Sequence, residues 1–296
     1  MTDKNTNKFQ SWILASRPKT LLASVVPVMV GTALAINVGE FNLLVTLIAL
    51  VCSLLIQTGT NFTNDLYDYL KGADTTSRKG PVRVLANELI TVKEMKAGIY
   101  ITFLSSFLLG LYLVYVSGLI ILVIGILSII AGLAYTAGPY PLAYKGLGDI
   151  FVFMFFGLIG TMGTFYLQTN EISLAAFLSS IPVGSLITNI LVVNNYRDIE
   201  EDKIAGKNTL AVKLGKTFTQ YQFMFLIVVS FLTPLALFLF FDFSIWIFLP
   251  YVTLPIAYNI TRMLFTLNGE QLNKTLELTA KLSALYGMLF SAGLLL

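Results

Sequence analysis

The chain has 296 residues, of which 56% are hydrophobic and only 12% are charged, and its formal net charge is +3. Soluble domains usually carry about 25% charged residues, so this composition excludes an ordinary soluble globule, a disordered chain and a nucleic-acid-binding protein. Cys52 is the only cysteine and histidine is absent, which excludes an intrachain disulfide, a cysteine-based zinc site and a histidine base.

Stretches without a single charged residue fill most of the chain, and a membrane-spanning helix needs about 20 mostly apolar residues. The stretch over 97–144 is long enough for two helices, with a natural break at Ser117-Gly118. We therefore predict an all-α, polytopic membrane protein with nine transmembrane helices around a central cavity, in a single domain covering residues 1–296. In chain order the predicted helices cover residues 20–37, 42–64, 97–116, 119–136, 149–168, 173–195, 218–240, 243–261 and 276–296.

The basic residues predict how these helices are oriented. Of the 19 Lys and Arg residues, 18 lie in the N-terminal segment or in the segments that follow predicted helices 2, 4, 6 and 8, and Lys281 lies in the first part of predicted helix 9, next to the last of these segments. Those five segments share one side of the membrane if nine helices cross it, and basic residues favour the cytoplasm. We therefore predict a cytoplasmic N-terminus.

Two polar segments on this predicted cytoplasmic side, residues 61–85 and 194–215, carry paired aspartates. If each apolar helix continues into its polar segment, the spacing of about one helical turn places the Asn and Asp side chains on one face. Asn195 borders the second of these faces. The face residues are Asn61, Asp65 and Asp68 in the first segment and Asn194, Asp198 and Asp202 in the second.

The two segments also share the residues that follow the aspartates. A glycine comes four residues after the second face aspartate in each, Gly72 after Asp68 and Gly206 after Asp202, and a threonine comes three residues later. We interpret the Asp-rich motifs at 61–75 and 194–209 as a weak internal repeat that places the two clusters on opposite walls of one cavity.

Paired carboxylates one turn apart destabilise a helix by a few tenths of a kcal/mol, so the clusters favour a compensating cation. Carboxylate and amide oxygens suit Mg²⁺, which is commonly held by one or two carboxylates together with substrate phosphates. Several lysines and arginines follow each cluster, and such bases suit a diphosphate. The alternative is a pair of ordinary solvated loops.

A third segment, residues 135–149, contains Tyr135, Tyr140 and Tyr144, two prolines and Lys145. Such a stiff aromatic loop can cap a site and stack on an aromatic or allylic substrate. It is equally typical of the aromatic belt at a membrane interface.

At these residues the chain resembles the UbiA superfamily of intramembrane aromatic prenyltransferases. Asn64, Asp65 and Asp68 match its first Asp-rich motif, and Asp198 and Asp202 match its second. The stretches that begin at residues 16, 135 and 194, and the glycine in place of a third aspartate in the first motif, resemble the 1,4-dihydroxy-2-naphthoate prenyltransferases (MenA type). The chain departs from the superfamily's YxxxK loop, because Lys145 lies five residues after Tyr140 and Tyr144 takes the four-residue place.

The resemblance implies Mg²⁺-dependent transfer of a polyprenyl group from polyprenyl diphosphate to an aromatic acceptor, 1,4-dihydroxy-2-naphthoate, in a bacterial plasma membrane with the active site toward the cytoplasm. Two Mg²⁺ ions, bridged by the diphosphate, would be held by Asn64, Asp65, Asp68, Asp198 and Asp202, and the four aspartates would be catalytic. The residues implied to bind the diphosphate or support the site are Lys19, Asn61, Asn64, Arg78, Lys79, Arg83, Asn195, Arg197, Lys207, Tyr140, Tyr144 and Lys145.

Two other readings remain. The first is a prenyltransferase of the same family with another acceptor, 4-hydroxybenzoate or another aromatic compound. A cation-coupled transporter would also place acids near the membrane, although here the acids cluster beside bases suited to phosphate and the opposite side lacks a matching charged path.

Overall fold

The structure, a computed structural model, describes residues 7–73 and 83–296. Helices hold 84% of the residues in these two ranges, and no strand occurs in them, which confirms the predicted all-α class. The α-helices are α1 Lys8–Ser16, α2 Pro18–Asn37, α3 Leu43–Leu70, α4 Val92–Ser117, α5 Leu119–Ala134, α6 Gly148–Val152, α7 Gly163–Thr169, α8 Leu174–Arg197, α9 Ile199–Ile204, α10 Leu210–Phe240, α11 Leu254–Thr266 and α12 Leu272–Leu295. Short 3₁₀ segments cover Leu142–Lys145, Ile245–Thr253 and Gly269–Gln271, and a π-helix covers Phe153–Met162 between α6 and α7.

Each predicted apolar stretch forms helical structure. In the part of the chain that the structure describes, seven helical segments are long and apolar enough to cross a membrane. The two remaining stretches form α5, which is shorter, and the 3₁₀ segment Ile245–Thr253 that continues into α11. The protein is therefore a multi-pass membrane protein by length and composition, while the count of nine crossings and the cytoplasmic N-terminus stay predictions.

Local signals in the sequence set several helix ends. Thr91 and Glu94 form a reciprocal capping box at the start of α4. Gly118 separates α4 from α5 with a φ of 83°, a conformation that favours glycine, so the predicted break at Ser117-Gly118 is present. Within α10, Gly215 has a φ of 80° and interrupts the helix, so the long apolar part of α10 begins after it, close to the predicted start at residue 218.

The largest group of buried apolar residues packs α2, α8, α10 and α12 together. The π-helix packs on α8 through two glycines: a Cβ added at Gly157 would lie 2.8 Å from the Cα of Gly184. Small residues let membrane helices approach this closely because dispersion contacts, rather than exclusion of water, hold such helices together.

The five segments that carry the basic residues meet at one end of the bundle. Asn61 of α3 donates to the Ser16 carbonyl at 2.9 Å, and Arg197 of α8 donates to Asn273 of α12 at 2.7 Å. The other connections meet at the opposite end, where Asn37 donates to the Leu294 carbonyl at 2.9 Å. The predicted separation of basic and non-basic connections is thus present in the fold, and the basic end carries both Asp-rich segments.

Candidate functional site

Helix α3 continues through the first Asp-rich segment to Leu70, as the spacing predicts. Asn61, Asp65 and Asp68 all lie on its buried face. Gly72, with a φ of 70°, follows the end of α3, and the next N–H, that of Ala73, donates to the Asp68 carbonyl at 2.9 Å. This glycine therefore ends the helix just beyond the last aspartate.

The second segment ends in the same kind of turn. Gly206 also has a φ of 70°, and the N–H of Lys207 donates to the Asp202 carbonyl at 2.8 Å. The shared spacing of the two motifs thus corresponds to a shared turn at the end of each. This likeness supports the predicted repeat, which stays a prediction for the chain as a whole.

One part of the second prediction is wrong: α8 does not continue through Asp198 to Asp202. It ends at Arg197, and Asp198 has φ −97° and ψ 9° before the short helix α9 begins. The helical spacing is nevertheless kept by hydrogen bonds across the break, because Asp198 N–H donates to the Asn194 carbonyl at 3.1 Å and Asp202 N–H donates to the Asp198 carbonyl at 2.8 Å. Both aspartates remain buried.

The break coincides with a tight ion pair between neighbours in the chain. Arg197 Nε donates to Asp198 Oδ1 at 2.6 Å, and Arg197 Nη2 donates to Asp198 Oδ2 at 2.7 Å. The same guanidinium donates to Asn194 at 2.8 Å. Both carboxylate oxygens of Asp198 therefore face an arginine that is itself buried. A guanidinium matches a carboxylate with two parallel bonds, so this pair fixes the orientation of Asp198.

The first pair of aspartates is held by residues from outside α3. Asp65 Oδ2 accepts the backbone N–H of Val84 at 3.3 Å. Asp68 Oδ1 accepts a hydrogen bond from the hydroxyl of Tyr144 at 2.8 Å, and Arg83 Nη2 lies 3.6 Å from Asp68 Oδ2. Residues 83 and 84 thus lie at the acidic face of α3, and Arg83 places a positive charge beside Asp68.

The aromatic loop lies between the two Asp-rich segments. Thr136 donates its hydroxyl to Asn64 Oδ1 at 2.9 Å, and its carbonyl accepts Lys71 Nζ at 2.7 Å. The carbonyl of Tyr144 accepts the N–H of Asn208, near the end of the second motif, at 3.1 Å. The loop therefore bonds to both motifs, which favours the site-capping interpretation for its inner part.

The tyrosines of this loop divide into inner and outer residues. Tyr144 is buried against Asp68, whereas Tyr140 is 59% exposed. Lys145 lies on the outer part, with its Nζ 5.3 Å from the centre of the Tyr140 ring. The structure therefore brings Tyr144 to the aspartates and shows no contact between Lys145 or Tyr140 and them within the described ranges.

The other implied residues are placed as follows. Asn195 Nδ2 donates to Asp149 Oδ1 at 3.4 Å, and Lys207 Nζ lies 3.9 Å from Asp202 Oδ1. Arg78 and Lys79 lie outside the described residues, as does the side chain of Lys19.

Two further side chains lie near the aspartates. Partial burial lowers the pKa of Lys71, although Asp68 offsets part of that effect. Tyr135 is partly buried beside the aspartates and lines the cavity that adjoins them.

The donor chemistry of the aspartates fits a Mg²⁺–diphosphate complex better than a cage made by protein alone. Among the described residues, no three acidic side chains converge closely enough to hold an ion by themselves. Mg²⁺ keeps several waters and is usually bound by one or two carboxylates plus substrate phosphates. Carboxylates distributed over two facing segments match that need, because the phosphate oxygens complete the coordination.

A cavity of about 230 Å³ adjoins this site. Near the aspartates it is lined by Gln57, Thr60 and Tyr135, and Gln57 donates to Asn61 at 3.5 Å. Along α3 the lining runs from Thr60 back to Ala49, which spans about 16 Å of helix. The remaining walls are mostly apolar and include Phe151, Phe155 and Leu167. The space suits an apolar chain whose polar end lies at the aspartates.

Sequence reasoning missed one residue of this region. Asp149 is buried at the start of α6 and also accepts Gln222 Nε2 at 2.8 Å, so it joins α6 to α8 and α10. The available signal for Asp149 was an acid at the start of an apolar stretch. Lys71, one of the bases that the sequence places beside the first cluster, bonds to the aromatic loop.

The sequence profile of the UbiA prenyltransferase family matches residues 24–285. A 1,4-dihydroxy-2-naphthoate octaprenyltransferase of Escherichia coli (strain K12) is 38% identical over 304 residues, covering 100% of this chain and 98% of the relative. Its namesake in Haemophilus influenzae is 38% identical over 298 residues, covering 98% of this chain and 97% of the relative.

A solved structure of a UbiA homolog from Archaeoglobus fulgidus, bound to DMAPP and Mg²⁺, has a similar fold. It aligns with a TM-score of 0.64 and 17% identity, covering 95% of this chain and 99% of that chain. At this identity the likeness establishes the fold, and it agrees with the helical arrangement described above.

Proposed function

Since the chain belongs to the UbiA prenyltransferase family, we propose that it transfers a polyprenyl group from polyprenyl diphosphate to 1,4-dihydroxy-2-naphthoate, releasing diphosphate and CO₂. The product is demethylmenaquinol, an intermediate of menaquinone biosynthesis. The observation that carries the proposal is the meeting of two Asp-rich segments at the polar end of an apolar cavity. The two named relatives support the choice of acceptor.

Asp65, Asp68, Asp198 and Asp202, with Asn64, would hold two Mg²⁺ ions through the diphosphate. When bound, these ions supply neutralisation of the negative charge that develops as the diphosphate leaves. The magnesium in the Archaeoglobus structure supports dependence on this metal, and the number of ions is part of the proposal.

The side chains of this chain have separate tasks in the reaction. Arg83 and Lys207, each near an aspartate, add positive charge beside the leaving group. Tyr144 orients Asp68. Arg197 holds Asp198, whose carboxylate keeps further lone pairs for a metal because each oxygen has two.

The cavity provides the apolar part of the proposed site. Its walls keep water from the allylic cation, and the faces of Tyr135 and Phe151 offer cation–π stabilisation. The allylic C–O bond breaks and its electron pair leaves with the diphosphate. The ring carbon that bears the carboxylate forms the new C–C bond, and the carboxylate then leaves as CO₂ and returns its bonding electrons to the ring.

A product assay tests the proposal. Purified protein receives Mg²⁺, a polyprenyl diphosphate and either 1,4-dihydroxy-2-naphthoate or 4-hydroxybenzoate, and mass spectrometry identifies the lipid products. We expect a prenylated, decarboxylated naphthoquinol from the first acceptor alone. A product from 4-hydroxybenzoate alone would transfer the proposal to that acceptor, and no product from either would refute it and reopen the transporter interpretation. The same assay is applied to Asp68→Asn, which neutralises one of the proposed metal ligands. Glu171→Gln is its matched control, because it removes a negative charge at the opposite end of the bundle.

The proposed location is a bacterial plasma membrane with the site facing the cytoplasm. The convergence of the basic segments at the site supports this orientation. Cysteines introduced at Lys274 and Glu171 lie on opposite ends, so a membrane-impermeant maleimide applied to intact cells should label only position 171. Labelling of position 274 alone would reverse the orientation.

A further inference from the structure

Two lysines from different Asp-rich segments converge on one aromatic ring. Lys71 Nζ lies 4.1 Å from the centre of the Tyr144 ring, and Lys207 Nζ lies 5.6 Å from it. Lys71 follows α3, whereas Lys207 follows α9. The ring is fixed from its other end, where the hydroxyl donates to Asp68 at 2.8 Å.

This convergence has an electrostatic cost. Partial burial and the neighbouring charge of Lys207 both disfavour the ammonium form of Lys71 and lower its pKa, while Asp68 favours it. A nearby anion offsets the repulsion between two like charges because it attracts both of them. Lys207 has such a partner in Asp202, whose Oδ1 lies 3.9 Å from its Nζ, and the aromatic face attracts both lysines more weakly.

The ammonium of Lys71 also retains hydrogen-bonding capacity. It donates to the Thr136 carbonyl at 2.7 Å. Within residues 7–73 and 83–296 no carboxylate lies within ion-pair distance of it. An ammonium has three N–H donors, so two can point to a ligand. The side chain is partly exposed, which leaves a ligand room to approach.

The lysine of the aromatic loop itself is directed elsewhere. Lys145 Nζ lies over the exposed Tyr140, and its carbonyl accepts Lys213 Nζ at 2.7 Å. A cation is nevertheless present beside the inner tyrosine, and it comes from the first Asp-rich segment.

We propose that Lys71 binds the diphosphate of the prenyl donor together with Lys207, which approaches the same Tyr144 ring. This inference rests on the proposed function and names a binding residue for the same site. Charge-assisted bonds from Lys71 strengthen as negative charge grows on the leaving diphosphate, so Lys71 assists both binding and departure.

The test measures binding of inorganic pyrophosphate, which needs neither acceptor nor turnover. Wild type, Lys71→Gln and Lys71→Arg are titrated with pyrophosphate at saturating Mg²⁺, and thermal unfolding in detergent reports the stabilisation. We expect Lys71→Gln to bind pyrophosphate about tenfold more weakly or worse, the size of a lost charge-assisted hydrogen bond. Lys71→Arg, which keeps the charge, should lose less than Lys71→Gln. Lys216→Gln makes the same change on an exposed lysine at the same end and should bind as wild type does.

The outcomes separate the two proposals. Wild type that pyrophosphate and Mg²⁺ do not stabilise would refute the proposed function itself. Wild type that is stabilised, with Lys71→Gln stabilised to the same degree, would overturn only the role of Lys71. If Lys145→Gln weakened pyrophosphate binding as much as Lys71→Gln does, the binding role would not belong to Lys71 in particular, and the proposal would be overturned.

A purely structural role is distinguished by the unliganded protein. That role would lower the unfolding temperature of Lys71→Gln without ligand but leave the pyrophosphate-induced shift unchanged. Should Lys71→Gln not fold, Lys71→Met replaces it, because its stem can still pack on Tyr144. Failure of both variants to fold would overturn the binding role in favour of the structural one.

Discussion

The hydroxyl of Tyr144 offers a perturbation of a single atom at the centre of the site. Tyr144→Phe removes the 2.8 Å bond to Asp68 and keeps the ring on which Lys71 and Lys207 lie. A hydrogen bond to a charged group contributes about 1.5–3 kcal/mol. Because Arg83 remains 3.6 Å from the same carboxylate, we expect the lower part of that range.

This free energy converts into a measurable change in catalysis. If the bond holds Asp68 in its reactive position, about 1.5 kcal/mol corresponds to roughly a tenfold fall in kcat/KM. The Mg²⁺ concentration for half-maximal rate should rise as well, because Asp68 is a proposed metal ligand. Tyr144→Leu, which also removes the ring, should in addition weaken pyrophosphate binding, since both lysines lose the face on which they lie.

The assay is the rate of prenylated product as a function of prenyl diphosphate and of Mg²⁺, with the unfolding temperature measured in parallel. Tyr69→Phe is the control, because Tyr69 follows Asp68 directly but is 40% exposed. If Tyr144→Phe kept both kcat/KM and its Mg²⁺ dependence within twofold of wild type, the argument that Tyr144 orients Asp68 would be refuted.

Three further predictions address the acids. Asp68→Asn and Asp198→Asn should lower turnover at least a hundredfold in the product assay while circular dichroism shows unchanged helicity; near-normal rates in either would remove its metal role. EDTA should stop the reaction and Mg²⁺ should restore it, and turnover that persists in EDTA would exclude metal dependence. Asp149→Ala leaves the amide donors of Asn195 and Gln222 without their buried acceptor, so the free energy of unfolding should fall by about 1–3 kcal/mol. An unchanged unfolding temperature would show that these hydrogen bonds add no stability.

The fold was predictable because hydrophobic patterning and charge placement agree in this chain. Apolar stretches of the length of a membrane marked the long helices, although not the short helices α1 and α9. The one-sided distribution of bases matched the end at which the Asp-rich segments meet. The aspartates of α3 followed from helical spacing alone, since α3 continues to Leu70.

The interior geometry of the site was not predictable in the same way. Helical spacing predicted one continuous face through Asp198, but the bidentate bond from Arg197 accompanies a break there. The loop tyrosines illustrate the same limit. Tyr140 and Tyr144 belong to the same aromatic loop and look alike in the sequence, yet Tyr140 is exposed and Tyr144 is buried. Which side chain points inward depends on the 3₁₀ turn at Leu142–Lys145 and on contacts distant in sequence.

The pairing of charges in the structure suggests how the site accommodates its ligand. Asp198 and Asp68 are each paired with an arginine, while Lys71 and Lys207 share an aromatic ring. A diphosphate that binds together with Mg²⁺ carries both negative and positive charge. The lysines and arginines can therefore pair with phosphate oxygens while the carboxylates bind the metal. The exchange keeps each buried charge compensated, which a diphosphate without metal would not do, because it would add negative charge beside four aspartates. Pyrophosphate binding should therefore require Mg²⁺, and stabilisation of the wild type by pyrophosphate in EDTA would contradict this exchange.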